Sequence, residues 1–293
     1  MLDLSGVWIP LVTPFSGGRL DLPALTRLVA TLAPQGIAGY VVCGSTGEAA
    51  LLSDAEQRQV LQAVLDAQTG LPVLMGVAGS APQPVRTELL QWAEYPVAGF
   101  LVPPPLYVRP PQAGVVDFFS TLADASPQPV VLYDIPSRTG TRIQRETALA
   151  LAAHANIIGL KDCGGDPADT QALIADGRLQ VLAGDDIEIF ATLCMGGAGS
   201  ISASAHLHPE LFVRLHQQLR AGDLPAARRL WQALQPWIRA AFAEPNPAPA
   251  KAALAAQGLL RNELRAPMQP VSAGLQQQIE ALVDQLGGLV RAG

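Results

Sequence analysis

Short apolar runs alternate with longer amphipathic ones along the first two-thirds of the chain. The apolar runs read VWIPLVT from Val7, GYVVCG from Gly39, PVLMGV from Pro72 and GFLVPP from Gly99. They continue with PVVLYDIP from Pro129, IIGLKD from Ile157, LQVLAGDD from Leu179 and GSISAS from Gly199. Their starts lie roughly 20 to 33 residues apart, and a helical pattern follows each one. Near-continuous apolar strands separated by helices predict a parallel sheet covered on both faces, where neither side of a strand meets water. Eight such units predict an α/β fold, a closed (β/α)8 TIM barrel; an open doubly wound sheet is the competing arrangement.

Local helix signals agree. Ser53 and Glu56 stand three apart ahead of a helical run, the spacing of a capping box in which each side chain satisfies the other's free backbone N–H. Asp21-Leu22-Pro23 offers an N-cap with proline in the first helical turn. After His206 the strand pattern stops. The remainder reads as helix broken at Gly222-Asp223, at Glu244-Pro245-Asn246-Pro247-Ala248-Pro249 and at Ala266-Pro267-Met268-Gln269-Pro270. The expected organisation is a catalytic barrel over residues 1–222 and a C-terminal helical extension over 223–293.

Composition sharpens this picture. Apolar residues make up 49% of the 293 positions and charged residues 15%, well below the roughly 25% of an average domain. A surface so poor in charge points to partial covering by other subunits. The net charge of −6 argues against nucleic-acid binding, which favours a basic stripe. No run of about 18 apolar residues predicts a membrane span, and MLDLSGVWIPLVTPF lacks the basic start of a secretory leader. Cys43, Cys163 and Cys194 are odd in number and widely spaced, which predicts a reducing cytoplasm and neither disulfides nor a zinc site. His206 and His208 lie close together without an acidic or thiol partner nearby, so no metal site is expected there.

The chain has two lysines against seventeen arginines. Lys161 ends the apolar run Ile157-Ile158-Gly159-Leu160, an unfavourable place for a solvating charge. Lysine, unlike arginine, can lose its proton when desolvated and then attack a carbonyl. The plainer alternative is a lysine that snorkels from a strand end or pairs with a buried acid such as Asp185. Lys251 follows the proline-rich break, where it is expected to open a helix as an ordinary exposed charge.

In a barrel of this kind chemistry collects at the C-terminal ends of the strands. There the chain places Gly44-Ser45-Thr46-Gly47-Glu48 after the second strand, Tyr107 after the fourth, and Tyr133 then Arg138 after the fifth. Lys161 ends the sixth, Gly184-Asp185-Asp186 the seventh, and Gly199-Ser200-Ile201 lies on the eighth. Each residue taken singly has a structural explanation; their common position is what points to a site. A desolvated lysine has its ammonium form disfavoured and can make a Schiff base with a ketone. A glycine-flanked hydroxyl turn offers N–H groups to an anion such as the carboxylate of a 2-oxo acid. A tyrosine nearby can shuttle protons, and an arginine can grip a second carboxylate.

These segments resemble the pyruvate-dependent class I aldolase family that contains dihydrodipicolinate synthase and N-acetylneuraminate lyase. The residues that carry the resemblance are GSTGE from Gly44, YDIPSRTG from Tyr133, GLKD from Gly159, GDD from Gly184 and EPNPAPAK from Glu244. They span most of the chain in family order. The resemblance implies a (β/α)8 barrel with a C-terminal helical extension, assembled as a homotetramer in the cytoplasm. It implies that Lys161 forms the Schiff base with pyruvate, that Tyr133 is the central proton shuttle and that Ser45 is the relay hydroxyl. It further implies Thr46 at the pyruvate carboxylate and Tyr107 reaching across a subunit interface into the relay. Arg138 would bind the carboxylate of aspartate semialdehyde, and the backbone at Ile201 would face the nucleophile.

Arg138, Tyr107 and EPNPAPAK favour the synthase branch over the sugar-acid lyases. The expected reaction is condensation of pyruvate with aspartate β-semialdehyde, in lysine and diaminopimelate biosynthesis, with no metal or organic cofactor beyond the covalent adduct. The expected partners are these small molecules alone, neither nucleic acid nor membrane. Two departures stand out. Position 45 is serine where the synthases commonly carry threonine, and Asp162-Cys163-Gly164-Gly165-Asp166 is closer to 4-hydroxy-2-oxoglutarate aldolases, which makes such a retro-aldolase the alternative. A non-catalytic 2-oxo-acid binding protein is the rival of another class, and the intact lysine, tyrosines and arginine argue against it. Where feedback-inhibited synthases hold lysine, this chain has Asp54, Gln57, Ser80, Pro84 and Leu106, so insensitivity to free lysine is expected.

Overall fold

A computed structural model describes residues 2–291. All eight predicted strands form: β1 (Gly6–Pro10), β2 (Gly39–Val42), β3 (Val73–Gly76), β4 (Gly99–Val102), β5 (Val130–Asp134), β6 (Ile157–Asp162), β7 (Gln180–Ala183) and β8 (Gly199–Ile201). They close into a barrel in the ring order β1-β8-β7-β6-β5-β4-β3-β2, which settles the choice against the open sheet. A short hairpin, Phe15–Ser16 with Arg19–Leu20, adds a second small sheet that the apolar pattern did not predict. The intervening helices are α1 (Leu22–Leu32), α2 (Asp54–Asp66), α3 (Pro82–Trp92), α4 (Gln112–Ala125), α5 (Pro136–Thr139), α6 (Arg145–Leu151), α7 (Pro167–Asp176) and α8 (Ile189–Cys194). Beyond β8 the chain is helical: α9 (Pro209–Arg220), α10 (Leu224–Ala241), α11 (Ala248–Ala256) and α12 (Ala273–Arg291). Among the described residues no helix is long and apolar enough to cross a membrane.

Two compact units can be distinguished: Met1–Ser5 with Pro72–Ile201, and Gly6–Leu71 with Ser202–Gly293. The first holds β3 to β8 with α3 to α8. Its strands are almost wholly buried, as their continuous apolar runs require. The pairing of β5 with β6 slips by one residue between Val130, opposite Ile157, and Val131, opposite Gly159. From there Leu132 faces Leu160, Tyr133 faces Lys161 and Asp134 faces Asp162. Because side chains alternate between faces with a period of two, that single extra residue decides which residue of β5 shares a face with Lys161. Glycine is required at position 159, since a Cβ would sit 2.6 Å from Leu4 Cδ1 and 2.8 Å from the Gln180 carbonyl oxygen.

The second unit holds β1, β2, α1, α2 and the four C-terminal helices. Asp21 accepts from the Ala24 N–H at the start of α1, with Pro23 in the first turn. Ser53 and Glu56 make both hydrogen bonds of the capping box that opens α2. Helix α1 buries Ala24, Leu25, Leu28, Val29 and Leu32, one face at helical spacing. Each fully buried leucine of this kind contributes about 1.5–3 kcal/mol. Helix α10 buries Leu230, Trp231, Leu234, Trp237 and Ile238, and the Trp237 indole N–H donates to the Ser204 carbonyl at 2.8 Å.

Candidate active site

Lys161 lies one residue short of the end of β6 and is 5% exposed. Its Nζ stands 4.2 Å from the centroid of the Tyr133 ring, and the Tyr133 phenol is its hydrogen-bonding neighbour. This contact follows from the register: the slip in β5–β6 pairing sets Tyr133 directly beside Lys161. Behind the lysine, Gly184 leaves no room for any other residue. A Cβ there would meet Cys163 Sγ at 2.5 Å and Lys161 Cγ at 2.7 Å.

Electrostatics at Lys161 differ from the sequence-based expectation. Burial works against the ammonium, but the neighbouring Tyr133, Cys163 and Asp186 work for it, Tyr133 also through a hydrogen bond, and on balance the Lys161 pKa is raised. The expected depression by desolvation alone is therefore corrected: the free amine must be generated by moving a proton, and the phenol beside it is placed to take part. The acid that bears on the lysine is Asp186, buried three residues past the end of β7, whereas Asp185 caps the Ile187 N–H. Cys163 is no competing nucleophile, because burial pushes its thiol up to about 12.

Beyond this pair, Asp134 and Asp162 face each other at the ends of β5 and β6. Asp162 accepts from the Gly164 N–H at 2.8 Å and from the Thr170 hydroxyl at 2.5 Å. Asp134 is 3% exposed and accepts from the Ile143 N–H at 2.9 Å. Burial raises its pKa to about 7; the Ile143 bond opposes the rise, Asp162 adds to it and Arg142 opposes it.

Tyr107 and Arg138 line one open cleft of about 580 Å3, together with Arg109, Ser137 and Thr139. Tyr107 is 90% exposed and has φ of 71°, so the loop after β4 spends backbone strain to project an aromatic ring into solvent. Arg138 belongs to α5, a single turn begun by Pro136 and ended by Gly140. Ile201 is the last residue of β8 and is buried.

Ser45 and Thr46 lie in the second unit, in the turn that follows β2. The turn is bounded by two non-glycine residues in the left-handed region, Cys43 at φ 54° and Glu48 at φ 55°. Its internal hydrogen bonds start from the N–H groups of Gly47, Glu48 and Ala49, so those of Ser45 and Thr46 take no part in closing it. Thr46 Oγ1 accepts from Asn246 Nδ2 at 2.9 Å. Lys251 overturns its reading as an exposed charge. It is fully buried, and its Nζ is paired with Glu48 and donates to the Glu263 carbonyl at 2.9 Å. Helix α11 begins three residues earlier, at Ala248, so Lys251 lies within the helix and does not open it. Asn246, Glu48 and Asp134 are the residues near the predicted set that sequence reasoning left without a role, although each sits inside one of the motifs that carry the family resemblance.

His206 is buried with both ring nitrogens engaged, Nε2 accepting from the Val12 N–H at 3.3 Å and Nδ1 2.9 Å from the Ala203 carbonyl oxygen. Burial holds its pKa down to about 4, so it is a neutral packing residue. Among the described residues no group of three or more His, Cys, Asp or Glu side chains is arranged to hold a metal ion.

Comparison with known proteins adds an independent line. The model of the dihydrodipicolinate synthetase family matches residues 3–286. The chain is 33% identical over 282 residues to 4-hydroxy-tetrahydrodipicolinate synthase 2 of Clostridium acetobutylicum, covering 95% of this chain and 99% of that one. It is 40% identical over 263 residues to 4-hydroxy-tetrahydrodipicolinate synthase 1 of Streptomyces coelicolor, covering 88% and 86% of the two chains. A crystal structure of dihydrodipicolinate synthase from Thermotoga maritima superposes with a TM-score of 0.95 at 29% identity, covering 98% of this chain and 99% of that one.

Proposed function

The chain belongs to the dihydrodipicolinate synthetase family, and from that premise we propose that it is a 4-hydroxy-tetrahydrodipicolinate synthase joining pyruvate to aspartate β-semialdehyde. The observation that carries the proposal is the Lys161–Tyr133 pair, an amine and a phenol set side by side by strand register. Lys161 rests as the ammonium and gives up a proton through Tyr133. Its Nζ then bonds to C2 of pyruvate, and the ketone oxygen departs as water to leave an imine. Loss of a proton from C3 gives the enamine, whose C3 bonds to the aldehyde carbon of the semialdehyde. The aldehyde oxygen takes a proton to become a hydroxyl, the amino nitrogen of the semialdehyde adds to C2 and closes the ring, and breaking of the C2–Nζ bond returns the lysine amine.

The remaining roles rest on the family resemblance. Ser45 and Tyr107 extend the proton relay from Tyr133, with Tyr107 supplied to a second copy of the chain in a homotetramer. Its exposed, strained loop supports that placement. Thr46 receives the pyruvate carboxylate, Arg138 the carboxylate of the semialdehyde from its position in the cleft, and the Ile201 backbone faces the nucleophile. No metal or organic cofactor enters this chemistry, and the enzyme works in the cytoplasm on small molecules alone.

The test is intact-mass spectrometry after borohydride reduction with pyruvate, on wild type and Lys161→Ala, beside a turnover assay with aspartate semialdehyde. An adduct on wild type only, with consumption of the semialdehyde, is the expected result. An adduct without consumption would transfer the reading to the 4-hydroxy-2-oxoglutarate aldolase that the DCGGD segment suggests, and no adduct would overturn the Schiff base. Free lysine in excess is expected to leave the steady-state rate unchanged, because Asp54, Gln57, Ser80, Pro84 and Leu106 replace the residues that hold it in feedback-inhibited synthases. Strong inhibition would refute that.

A further inference from the structure

The proline-rich segment EPNPAPAK lies far along the chain from GSTGE, yet it grips that turn at successive points. Asn246 Nδ2 donates to Thr46 Oγ1 at 2.9 Å. Lys251 pairs with Glu48, the last residue of the motif, and both side chains are sealed from solvent. The second Glu48 oxygen accepts from the Arg265 N–H at 3.0 Å. The Arg265 guanidinium in turn holds Glu56 through two bonds of 2.7 Å and the Leu51 carbonyl at 2.9 Å. The segment from residue 246 to residue 265 therefore fixes the whole stretch from Thr46 to the first turn of α2.

A threonine hydroxyl carries one proton to donate and two lone pairs to accept with. An amide N–H of Asn246 already occupies a lone pair of Thr46 Oγ1, so the hydroxyl's own proton is left to point elsewhere. Thr46 is 3% exposed, which excludes bulk water as the usual recipient. The group is thus set as a donor, the polarity an anion needs. Had position 246 been a carboxylate, the Thr46 proton would be drawn back toward it and a negative charge would stand behind the turn.

We propose that Asn246 is a positioning residue that makes the Thr46 hydroxyl a hydrogen-bond donor to the carboxylate of the 2-oxo acid, while the Lys251–Glu48 pair clamps the turn behind it. The C-terminal helical extension thereby serves substrate binding, not packing alone. The inference rests on the reading above that the Ser45–Thr46 turn receives that carboxylate.

The test compares Asn246→Asp with Asn246→Ala by following the pyruvate concentration that half-saturates borohydride trapping on Lys161, from pH 5 to pH 8. In Asn246→Asp at pH 8 half-saturation is expected to rise about ten- to a hundredfold, with the trapping rate at saturation held within about threefold. That deficit is expected to shrink toward pH 5, where a protonated carboxyl can again donate to Thr46. Asn246→Ala is expected to show a smaller rise that does not depend on pH. A folded Asn246→Asp with unchanged half-saturation at pH 8, or with the same deficit as Asn246→Ala at every pH, would overturn the proposal. If Asn246→Asp does not fold, the double-mutant cycle of Asn246→Ala with Thr46→Val decides: effects that fail to add support it, and effects that add sink it. Failure of the underlying reading is separate, since Thr46→Val alone would then leave the half-saturating pyruvate concentration unchanged.

Discussion

The two lysines of this chain stand in two differently built regions, and both are buried. Lys161, near the open end of a barrel strand, has a phenol as its partner; Lys251, inside helix α11, has the carboxylate of Glu48 and a backbone carbonyl. The Lys161 pKa is raised, whereas burial pulls that of Lys251 down against the attraction of Glu48. A depressed pKa therefore does not distinguish the proposed nucleophile. Lys251 is fully sealed, with its Nζ held by Glu48 and Glu263, so it is fixed charge. Lys161 neighbours a group that can itself exchange a proton, so its charge can move. Position beside a proton carrier, not burial alone, separates a reactive amine from a structural one.

Replacing one lysine should destroy chemistry and replacing the other should destroy structure. Lys161→Arg keeps the charge but cannot deprotonate, so kcat/KM should fall by at least about a thousandfold with Tm little changed, read by steady-state kinetics and thermal melting. An active Lys161→Arg enzyme would erase the distinction. Lys251→Met leaves Glu48 buried without its partner and should cost about 3–5 kcal/mol in urea unfolding. A Lys251→Met protein of wild-type stability would show that the ion pair only balances its own desolvation. Smaller still, Tyr133→Phe keeps the ring over Lys161 and removes the proton carrier. It should lower kcat by about a hundredfold while leaving the protein folded, and unchanged kcat would move the shuttle elsewhere.

The same comparison shows what the chain's residues reveal in order. The eight strands were legible because each apolar run contrasts with the helix after it, and Lys161 and Tyr133 because lysine and tyrosine are rare here and fall at strand ends. The contact between them was not. It depends on the slip beside Gly159, which only the assembled sheet supplies. Lys251 was misread for a related reason. A charge at a helix start after a proline break has the local pattern of a surface residue, and its partner Glu48 lies 203 residues away. Asn246 lies within a family motif, but nothing local says that its amide meets Thr46, 200 residues distant.

The two regions also neutralise their buried acids differently, and pH separates them. Glu48 is balanced by Lys251, whereas Asp134 has a backbone N–H and a nearby acid, Asp162, and is balanced chiefly by keeping its own proton. Its pKa of about 7 stands above the ordinary 3.8, so between those values the folded protein holds a proton that the unfolded chain has lost. Stability linked to this group is fully present below about pH 4 and is lost as pH rises through about 7. Asp134→Asn cannot ionise and should lack this slope. Relative to the variant, wild type should lose roughly 2 to 4 kcal/mol between pH 4 and pH 8, an order-of-magnitude figure from the size of the shift. Urea unfolding of both proteins across that range is the measurement. Curves that run parallel would mean that Asp134 is already ionised when folded, and that the acids beside Lys161 are balanced by Arg142 much as Glu48 is balanced by Lys251.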